Sequence, residues 1–271
     1  MALESKIAGL DLAQEERNHR MKLVENFKTF NREKFPAAVA VWRNARTVWT
    51  MQKLKGRPLE EIWLDSHHDC QKQKYESSAG GGSSLAATEA VRRRLPKLLE
   101  DLEVRSLLDI PCGDFHWMRF LPLPNVTYIG ADIVSEVIAG NAAQYTSATR
   151  RFEVLNICTS ALPHVDAILC RDCLIHLSNK DVLSALDNVK RSGARILITT
   201  TYPSVLRNMD IVSGSWRPLN LQREPFNLPE PMLSISEEWT GDNGAYSDKS
   251  LAVWHVSEIP DHSFLSSSRT S

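Results

Sequence analysis

Short apolar segments recur through the middle of the chain and are separated by longer polar or amphipathic stretches. Five such segments occupy residues 107–110, 127–131, 152–155, 167–170 and 196–200. Apolar runs of this length are typical of parallel strands that are buried on both faces. Between the last two runs, residues 179–190 carry apolar side chains at helical spacing, which predicts a crossover helix. The alternation predicts an α/β fold with a Rossmann-like, doubly wound, mostly parallel sheet.

The pattern changes after Thr201. Residues 202–231 include the proline-rich stretch SWRPLNLQREPFNLPEP, which predicts an extended loop instead of a helix or a central strand. Residues 232–239 and 250–256 are then predicted as two strands, with a Gly-Asp-Asn-Gly turn signal at 241–244 between them. We therefore expect the sheet to end in a C-terminal antiparallel hairpin.

The first part of the chain is predicted to form an N-terminal helical arm, residues 1–76. Apolar residues such as Val39, Trp42 and Trp49 fall at helical spacing there, and basic residues lie between them. We interpret this pattern as amphipathic helix, with the tryptophans packed inward and the charges in solvent. A Gly-Arg-Pro break at 56–58 separates it from a short helix at 59–64. A linker at 77–84, a main domain at 85–258 and a flexible tail at 259–271 are expected to follow.

The linker segment, SSAGGGSS, has two interpretations. It can be a flexible connection in which Ser83 or Ser84 caps a helix over residues 85–102. Alternatively, its backbone amides at a helix start can hold an anionic group of a ligand. The pattern leaves open whether Gly80, Gly81 and Gly82 contact a ligand.

Composition narrows the class of protein. The chain has 271 residues, 42% of them hydrophobic, and a formal net charge of −1, so no bulk attraction to nucleic acid or to a membrane surface is expected. No secretion signal or membrane-spanning run is visible, and five scattered cysteines are typical of reduced thiols. We expect a cytoplasmic protein. We expect no metal site at His67-His68-Asp69-Cys70, since adjacent helical residues point in different directions.

The stretch 107–118, LLDIPCGDFHWM, carries the candidate chemistry. It predicts a buried strand that ends in a glycine-bearing turn, and ligands of open α/β sheets bind at such carboxyl ends. Asp132 ends the second run about twenty residues after Gly113, where a carboxylate can accept hydrogen bonds from both ribose hydroxyls. It can equally cap the next helix. Asn156 ends the third run, as a partner for an adenine edge or as a turn residue.

The segments LLDIPCGDF, YIGADI, LNI and VDAILCRDCLIHL occur in this order and spacing. Together they resemble the successive motifs of class I S-adenosylmethionine-dependent methyltransferases, over about residues 85–256. The resemblance implies S-adenosylmethionine as the cofactor and methyl transfer as the activity. Cofactor-binding roles are implied for seven residues, which are Asp109, Gly113, Asp132, Ile133, Asn156, Ile157 and Arg171. The chain departs from the family pattern at Pro111 and Phe115, which replace usual glycines, and at Asn156, where an acid is frequent.

The fourth run continues past its strand and supplies candidates for proton transfer. His176 is the first candidate general base, because the unperturbed pKa of histidine lies near neutrality. Asp172 is the second. The alternative for His176 is packing against the helix that opens at Ser178. Cys170 and Cys173 are interpreted as packing residues, since no second pair follows for zinc.

The proline-rich loop supplies the candidate acceptor site. Arg217 can pair with a carboxylate or a phosphate, Trp216 can cover an apolar or sugar face, and Asn220 is assigned to the same site. The expected acceptor is a small molecule, a glycan or a natural-product intermediate. Nucleic acid is disfavoured by the balanced charge, and no membrane insertion is expected.

Two other classes of function stay open. Pro111 and Phe115 keep possible a non-catalytic, partner-binding module with a degenerate pocket. A nicotinamide-dependent oxidoreductase is opposed by the absence from the sequence of G-x-G-x-x-G at the turn and of a Tyr-x-x-x-Lys pair. The N-terminal helices could also mediate a homo-oligomer.

Overall fold

A mostly parallel sheet forms the centre of the structure, a computed structural model that describes residues 52–241 and 244–261. Its strands run in the spatial order β3-β2-β1-β4-β5-β7-β6, with β7 antiparallel to both of its neighbours. The strands are β1 (Ser106–Asp109), β2 (Thr127–Asp132), β3 (Arg150–Val154), β4 (Ala167–Cys170), β5 (Ile196–Thr201), β6 (Leu233–Ser236) and β7 (Ser250–His255). The predicted Rossmann-like sheet and its terminal antiparallel pair are confirmed.

Four complete α-helices lie within the described residues. They are α1 (Leu59–Lys72), α2 (Glu89–Asp101), α3 (Ser135–Tyr145) and α4 (Asn179–Arg191). The helix α4 matches the predicted crossover, and the Ser178 hydroxyl caps it by accepting from the backbone N–H of Asp181. No helix among the described residues is long and apolar enough to cross a bilayer.

Two helix boundaries differ from the predictions. The predicted helix at 85–102 begins only at Glu89, because Ser84 closes a preceding turn by accepting from the backbone N–H groups of Ala87 and Thr88. The short helix predicted at 59–64 continues to Lys72. The predicted arm helices around Val39, Trp42 and Trp49, and the tail beyond residue 261, lie outside the described residues. The domain boundaries stay predictions.

The core has one layer on each face of the sheet. Alternate residues of β1 point to opposite faces, so Leu107 packs with the apolar side of α2, and Leu108 with that of α4. Both side chains are completely buried. The central strands are therefore covered on both faces, as their apolar runs predict.

The proline-rich loop covers part of one face where a helix could otherwise lie. It has no helix or strand between residues 202 and 232, and four of its side chains join the core: Leu219, Leu221, Phe226 and Leu228. The indole N–H of Trp254 on β7 donates to the carbonyl of Pro229, which ties the loop to the sheet. The segment is extended as predicted, and its apolar side chains serve the core.

Phe115 fills a space beneath the turn that follows β1. Its backbone has φ +55°, a left-handed conformation that favours glycine. Its ring contacts those of Tyr128, Tyr145 and Phe152, with centroids 5.2–5.3 Å apart. The position therefore keeps the backbone shape of a glycine turn, while the phenyl ring packs away from the turn into an aromatic cluster.

Gly130 on β2 makes room for that cluster. A Cβ at this position would lie 2.6 Å from a ring carbon of Phe152 and 3.0 Å from one of Tyr128. We expect Gly130→Ala to lower the free energy of unfolding by about 1–3 kcal/mol through overpacking, measured by urea denaturation.

The control is Gly140→Ala within α3, where an added Cβ meets nothing within 4 Å. Removing a glycine from a helix interior should raise the free energy of unfolding by about 0.5–1 kcal/mol. Equal effects of the two substitutions would contradict the account of the cluster.

Candidate functional site

A cavity opens at the carboxyl ends of β1, β2 and β4, with about 1120 Å³ of space between atoms, part of it open to solvent. The turn after β1, the segment after β3 and one face of α1 complete its walls. All nine sequence-predicted cofactor and catalytic residues line it: Asp109, Gly113, Asp132, Ile133, Asn156, Ile157, Arg171, Asp172 and His176. Strands that are distant in sequence thus bring these residues together, as expected for the carboxyl edge of a parallel sheet.

The floor of the cavity is the turn at Gly113. The Gly113 N–H donates to Asp132 Oδ2 at 3.1 Å, and the side-chain amide of Asn141 donates to the Gly113 carbonyl at 2.7 Å. Gly113 has φ +52°, and a Cβ there would lie 2.7 Å from the Cβ of Ala79. Only glycine fits this close approach without a shift of the neighbouring loop.

Asp132 joins two elements at the end of β2. Its Oδ1 accepts from the N–H of Val134, the residue before α3, so the carboxylate fixes the entry to the helix without capping the N–H groups of its first turn. Burial raises the pKa of its carboxyl, while hydrogen bonds from backbone N–H groups, including those of Val134 and Gly113, oppose the rise. The cavity-facing position also leaves the ribose interpretation compatible with the geometry.

Asp109 ends β1 and is buried at the cavity. Its Oδ2 accepts from the Tyr128 hydroxyl at 2.6 Å. Burial raises the pKa of Asp109 to about 7, although the Tyr128 hydrogen bond and the charge of Arg171 act in the opposite direction.

Asn156 and Ile157 form the wall that follows β3. Asn156 Oδ1 accepts from the N–H of Cys158 at 2.8 Å, so the predicted turn role of this residue is observed. The Ile157 carbonyl accepts from Asn188 of α4, which fixes the turn against the core. This wall is thereby preorganised before any ligand enters.

A buried ionic cluster closes the cavity after β4. Arg171 contacts Glu237 through its Nε, at 3.2 Å, and Asp172 at 3.3 Å, while Lys249 Nζ lies 2.7 Å from Asp172 and 3.2 Å from Glu237. All four side chains are largely removed from solvent, and the cluster holds two charges of each sign. Glu237 directly follows β6 and Lys249 directly precedes β7, so the C-terminal hairpin ties the far end of the sheet to the site.

Asp172 is held in its ionised form by this cluster. Burial opposes ionisation, but Arg171 and Lys249 outweigh it and lower the pKa of Asp172 to about 2. A carboxylate with so low a pKa and two cationic partners is a weak proton acceptor near neutral pH.

His176 lines the cavity with a neutral imidazole. Its Nδ1 lies 2.9 Å from the carbonyl oxygen of Ser215, and because a carbonyl only accepts, Nδ1 carries the proton and Nε2 keeps a lone pair. Burial lowers the pKa of His176, with the Ser215 carbonyl and Asp172 acting in the opposite direction. Its ring packs edge-on against Trp63, with centroids 5.3 Å apart.

The three predicted acceptor residues lie outside the cavity lining. Trp216 packs against Tyr246 and Tyr202 and is 43% exposed. Arg217 donates to the carbonyls of Leu174 and Ile175 and to Asn179, and Asn220 donates to two backbone carbonyls of its own loop. Burial lowers the pKa of Arg217 to about 10. The guanidinium therefore stabilises the turn that presents His176.

Comparisons with known proteins agree with this topology. No family model and no curated protein matches the sequence. The solved structure of PigF with S-adenosylhomocysteine is similar at 13% identity, covering 74% of this chain and 63% of that one, with a TM-score of 0.53.

The chain has a Rossmann-like α/β fold, which it shares with PigF.

Two further solved structures are similar over shorter lengths. Magnesium protoporphyrin IX methyltransferase from Synechocystis PCC 6803 matches at 14% identity over 54% of this chain and 72% of that one, with a TM-score of 0.42. An S-adenosylmethionine-dependent methyltransferase from Clostridium acetobutylicum matches at 16% identity over 45% of this chain and 56% of that one, with a TM-score of 0.36.

One wall of the cavity was not predicted from the sequence. Leu59, Trp63, Ser66 and His67 of α1 line it, although the sequence predicted only a short helix there. Their spacing of four, three and one residues places them on one face of a helix, and this face could have been predicted from the sequence. His67 Nε2 accepts from the side-chain amide of Gln71 at 2.9 Å. No group of three or more His, Cys, Asp or Glu that could hold a metal occurs within the described ranges.

The segment 77–84 is folded against the site. Asp114 accepts from the hydroxyls of Ser77 and Ser78 and from the Ser78 N–H, at 2.8–3.2 Å. Ser78, Ala79 and Ser83 line the cavity, so the segment is a wall as well as a connection. Its anion-binding interpretation stays a prediction.

Glu237→Gln tests the ionic cluster. Removing one buried negative charge leaves Arg171 and Lys249 with Asp172 alone, so we expect a loss of about 3 kcal/mol or more in the free energy of unfolding, measured by urea denaturation.

The matched control is its neighbour, Glu238→Gln. Glu238 pairs with Arg93 and Arg94 at the surface, so its loss should change the free energy of unfolding by at most about 1 kcal/mol. A similar effect at both positions would show that the cluster contributes no more than a surface ion pair.

Proposed function

We propose that this protein transfers a methyl group from S-adenosylmethionine to an uncharged small-molecule acceptor. The proposal is based on the hydrogen bond from the Gly113 N–H to Asp132 at the floor of the cavity. A glycine turn after the first strand and an acid after the second are what a nucleoside cofactor needs at this edge of the sheet.

The residues of the cavity fit the cofactor. In this proposal Asp132 accepts hydrogen bonds from the ribose hydroxyls, and Asn156, Ile157 and Ile133 flank the adenine. Asp109 and Gly113 lie beside the methionine part, near Arg171. When bound, S-adenosylmethionine supplies an electrophilic methyl group on a sulfonium.

The charge of the lining suits a cation. Four aspartates line the cavity, which are Asp109, Asp114, Asp132 and Asp172, against a single Lys or Arg side chain among the described lining residues, Arg171. Arg171 and Asp172 belong to the ionic cluster with Glu237 and Lys249, which leaves the other three aspartates as the acidic side chains of the lining. An acid-rich, partly enclosed wall favours the positive sulfonium over a neutral thioether.

The same charges disfavour an anionic acceptor. A carboxylate or phosphate would need a cation in the cavity, and Arg217, the sequence-predicted candidate, is buried outside it among carbonyls. Trp63 and Trp117 offer aromatic surface instead. We therefore propose an acceptor with an uncharged hydroxyl or amine, such as a natural-product or glycan intermediate.

His176 is the proposed general base. Methyl transfer is an in-line displacement, for which the protein supplies alignment and, where needed, a proton acceptor. The Nε2 lone pair of His176 can accept the proton of the acceptor, whereas Asp172 is committed to Arg171 and Lys249. Asp172 then contributes a negative charge near His176, which raises the pKa of that residue.

The alternative function, a non-catalytic module with a degenerate pocket, was kept open because Pro111 and Phe115 replace glycines in the turn after β1. Phe115 is buried in an aromatic cluster and does not line the cavity, and the left-handed backbone of the turn is kept. The Phe115 departure therefore leaves the cofactor cavity open, and of the two departures only Pro111 lines it.

S-adenosylhomocysteine should raise the thermal unfolding midpoint of the wild-type protein. At about 100 times its Kd, mass action adds roughly 2.7 kcal/mol to the free energy of unfolding. Asp132→Ala should weaken binding at least tenfold by isothermal titration calorimetry, because the proposed ribose contacts are lost.

The matched control is Asp101→Ala, at the exposed end of α2, which should leave the affinity unchanged. Absence of binding to the wild type at millimolar ligand would exclude the proposed function for this chain.

His176→Gln should lower the turnover number by about 100-fold or more, while the affinity for S-adenosylhomocysteine stays within twofold. The assay is S-adenosylhomocysteine release with an acceptor found by screening uncharged hydroxyl and amine compounds. Because burial lowers the pKa of His176 below 6.5, wild-type turnover should be constant above that pH and fall only in more acid solution.

The exposed His164, which also contacts a backbone carbonyl, provides the control His164→Gln. Unchanged turnover of His176→Gln would remove the base role.

A further inference from the structure

A buried tyrosine reaches the acid at the end of β1 from the neighbouring strand. Tyr128 on β2 is paired with Leu107 of β1, and Gly130 is paired with Asp109. Tyr128 and Asp109 therefore lie on the same face of the sheet, and the phenol extends along the strands toward Asp109. Its hydroxyl donates to Asp109 Oδ2 at 2.6 Å. Tyr128 itself does not line the cavity, whereas Asp109 does.

The local packing holds the tyrosine ring in this position. Gly130 leaves the space through which the ring passes, since a Cβ there would lie 3.0 Å from Tyr128 Cε1. The rings of Phe115 and Phe152 pack against it, with centroids 5.2 and 6.1 Å away. A phenylalanine would make the same packing, so the hydroxyl adds specifically the hydrogen bond to Asp109.

Four groups interact with the Asp109 carboxyl. The Tyr128 hydroxyl donates to it from β2, whereas Asp132 at the end of β2, Cys112 in the turn and Arg171 at the end of β4 interact with it electrostatically. Tyr128 and Arg171 favour the ionised carboxylate, whereas burial and Asp132 disfavour it. The hydrogen bond from Tyr128 is thus one of two contributions that keep a negative charge at this position.

We infer that Tyr128 is a positioning residue that holds the Asp109 carboxylate toward the ammonium group of the cofactor's amino-acid part. The inference rests on the proposed function, because it assigns Asp109 to the methionine part of S-adenosylmethionine. Tyr128 acts through Asp109 and touches no ligand itself. Its phenol restricts the orientation of the carboxylate and stabilises the charge that attracts the ammonium group.

A pH dependence follows with a definite sign. Binding of the ammonium group requires ionised Asp109, so affinity should rise as the pH increases through the neutral range and level off above it. Loss of the Tyr128 hydrogen bond removes a contribution that favours ionisation. The rise should then occur at higher pH.

The test compares the wild type with Tyr128→Phe by calorimetric titration of S-adenosylhomocysteine between pH 5.5 and 8.5. We expect the variant to bind about threefold or more weakly at pH 7 and to approach the wild-type affinity at pH 8.5. The matched control is Tyr145→Phe, because Tyr145 packs against the same Phe115 ring but contacts Arg119 instead of Asp109.

A second ligand separates positioning from a general structural role. 5′-Methylthioadenosine carries the nucleoside without the ammonium group, so its affinity should be equal in the wild type and in Tyr128→Phe at every pH. Equal weakening of both ligands by Tyr128→Phe, or an unchanged pH profile for S-adenosylhomocysteine, would overturn the inference.

The titration of Asp109 can also be followed without a ligand. In protein labelled with ¹³C-carboxyl aspartate, the resonance that Asp109→Asn removes should titrate at higher pH in Tyr128→Phe than in the wild type. An unchanged midpoint overturns the inference even if S-adenosylhomocysteine binds. If S-adenosylhomocysteine fails to bind the wild type, the proposed function fails, and with it the cofactor role of Tyr128, whatever the midpoint.

Discussion

The hydrogen bond from the Gly113 N–H to Asp132 is the interaction on which the site depends. It joins the turn after β1 to the end of β2, and Asn141 secures the other side of the same peptide. Because Gly113 has no Cβ, the neighbouring segment at Ala79 can approach this turn closely. The same carboxylate that organises the cavity is the one we assign to the ribose, so structure and proposed function share one group.

The ionic cluster extends this arrangement to the far end of the sheet. Arg171 and Asp172 follow β4, whereas Glu237 and Lys249 come from the terminal hairpin. Buried charges of both signs are costly to separate, so the hairpin and the cavity wall are coupled in stability. The cluster also explains why Asp172 is a weak candidate for proton transfer and His176 a better one.

The sequence was most informative where a local pattern decides the structure. The apolar runs predicted the parallel strands, and the Gly113 turn and Asp132 followed from strand ends that meet at one edge of the sheet. Long-range packing was not readable in the same way. No local sequence pattern predicts that Glu237 and Lys249 form a cluster with Arg171. Nor does one predict that Arg217 donates to the carbonyls of Leu174 and Ile175 instead of facing an acceptor.

The central claim is that the cavity binds the nucleoside cofactor through Asp132. A crystal structure with S-adenosylhomocysteine tests it most directly. The account predicts both ribose hydroxyls at about 3 Å from the Asp132 carboxylate, with the adenine against Asn156 and Ile157. A ligand bound elsewhere, or ribose hydroxyls that make no contact with Asp132, would contradict it.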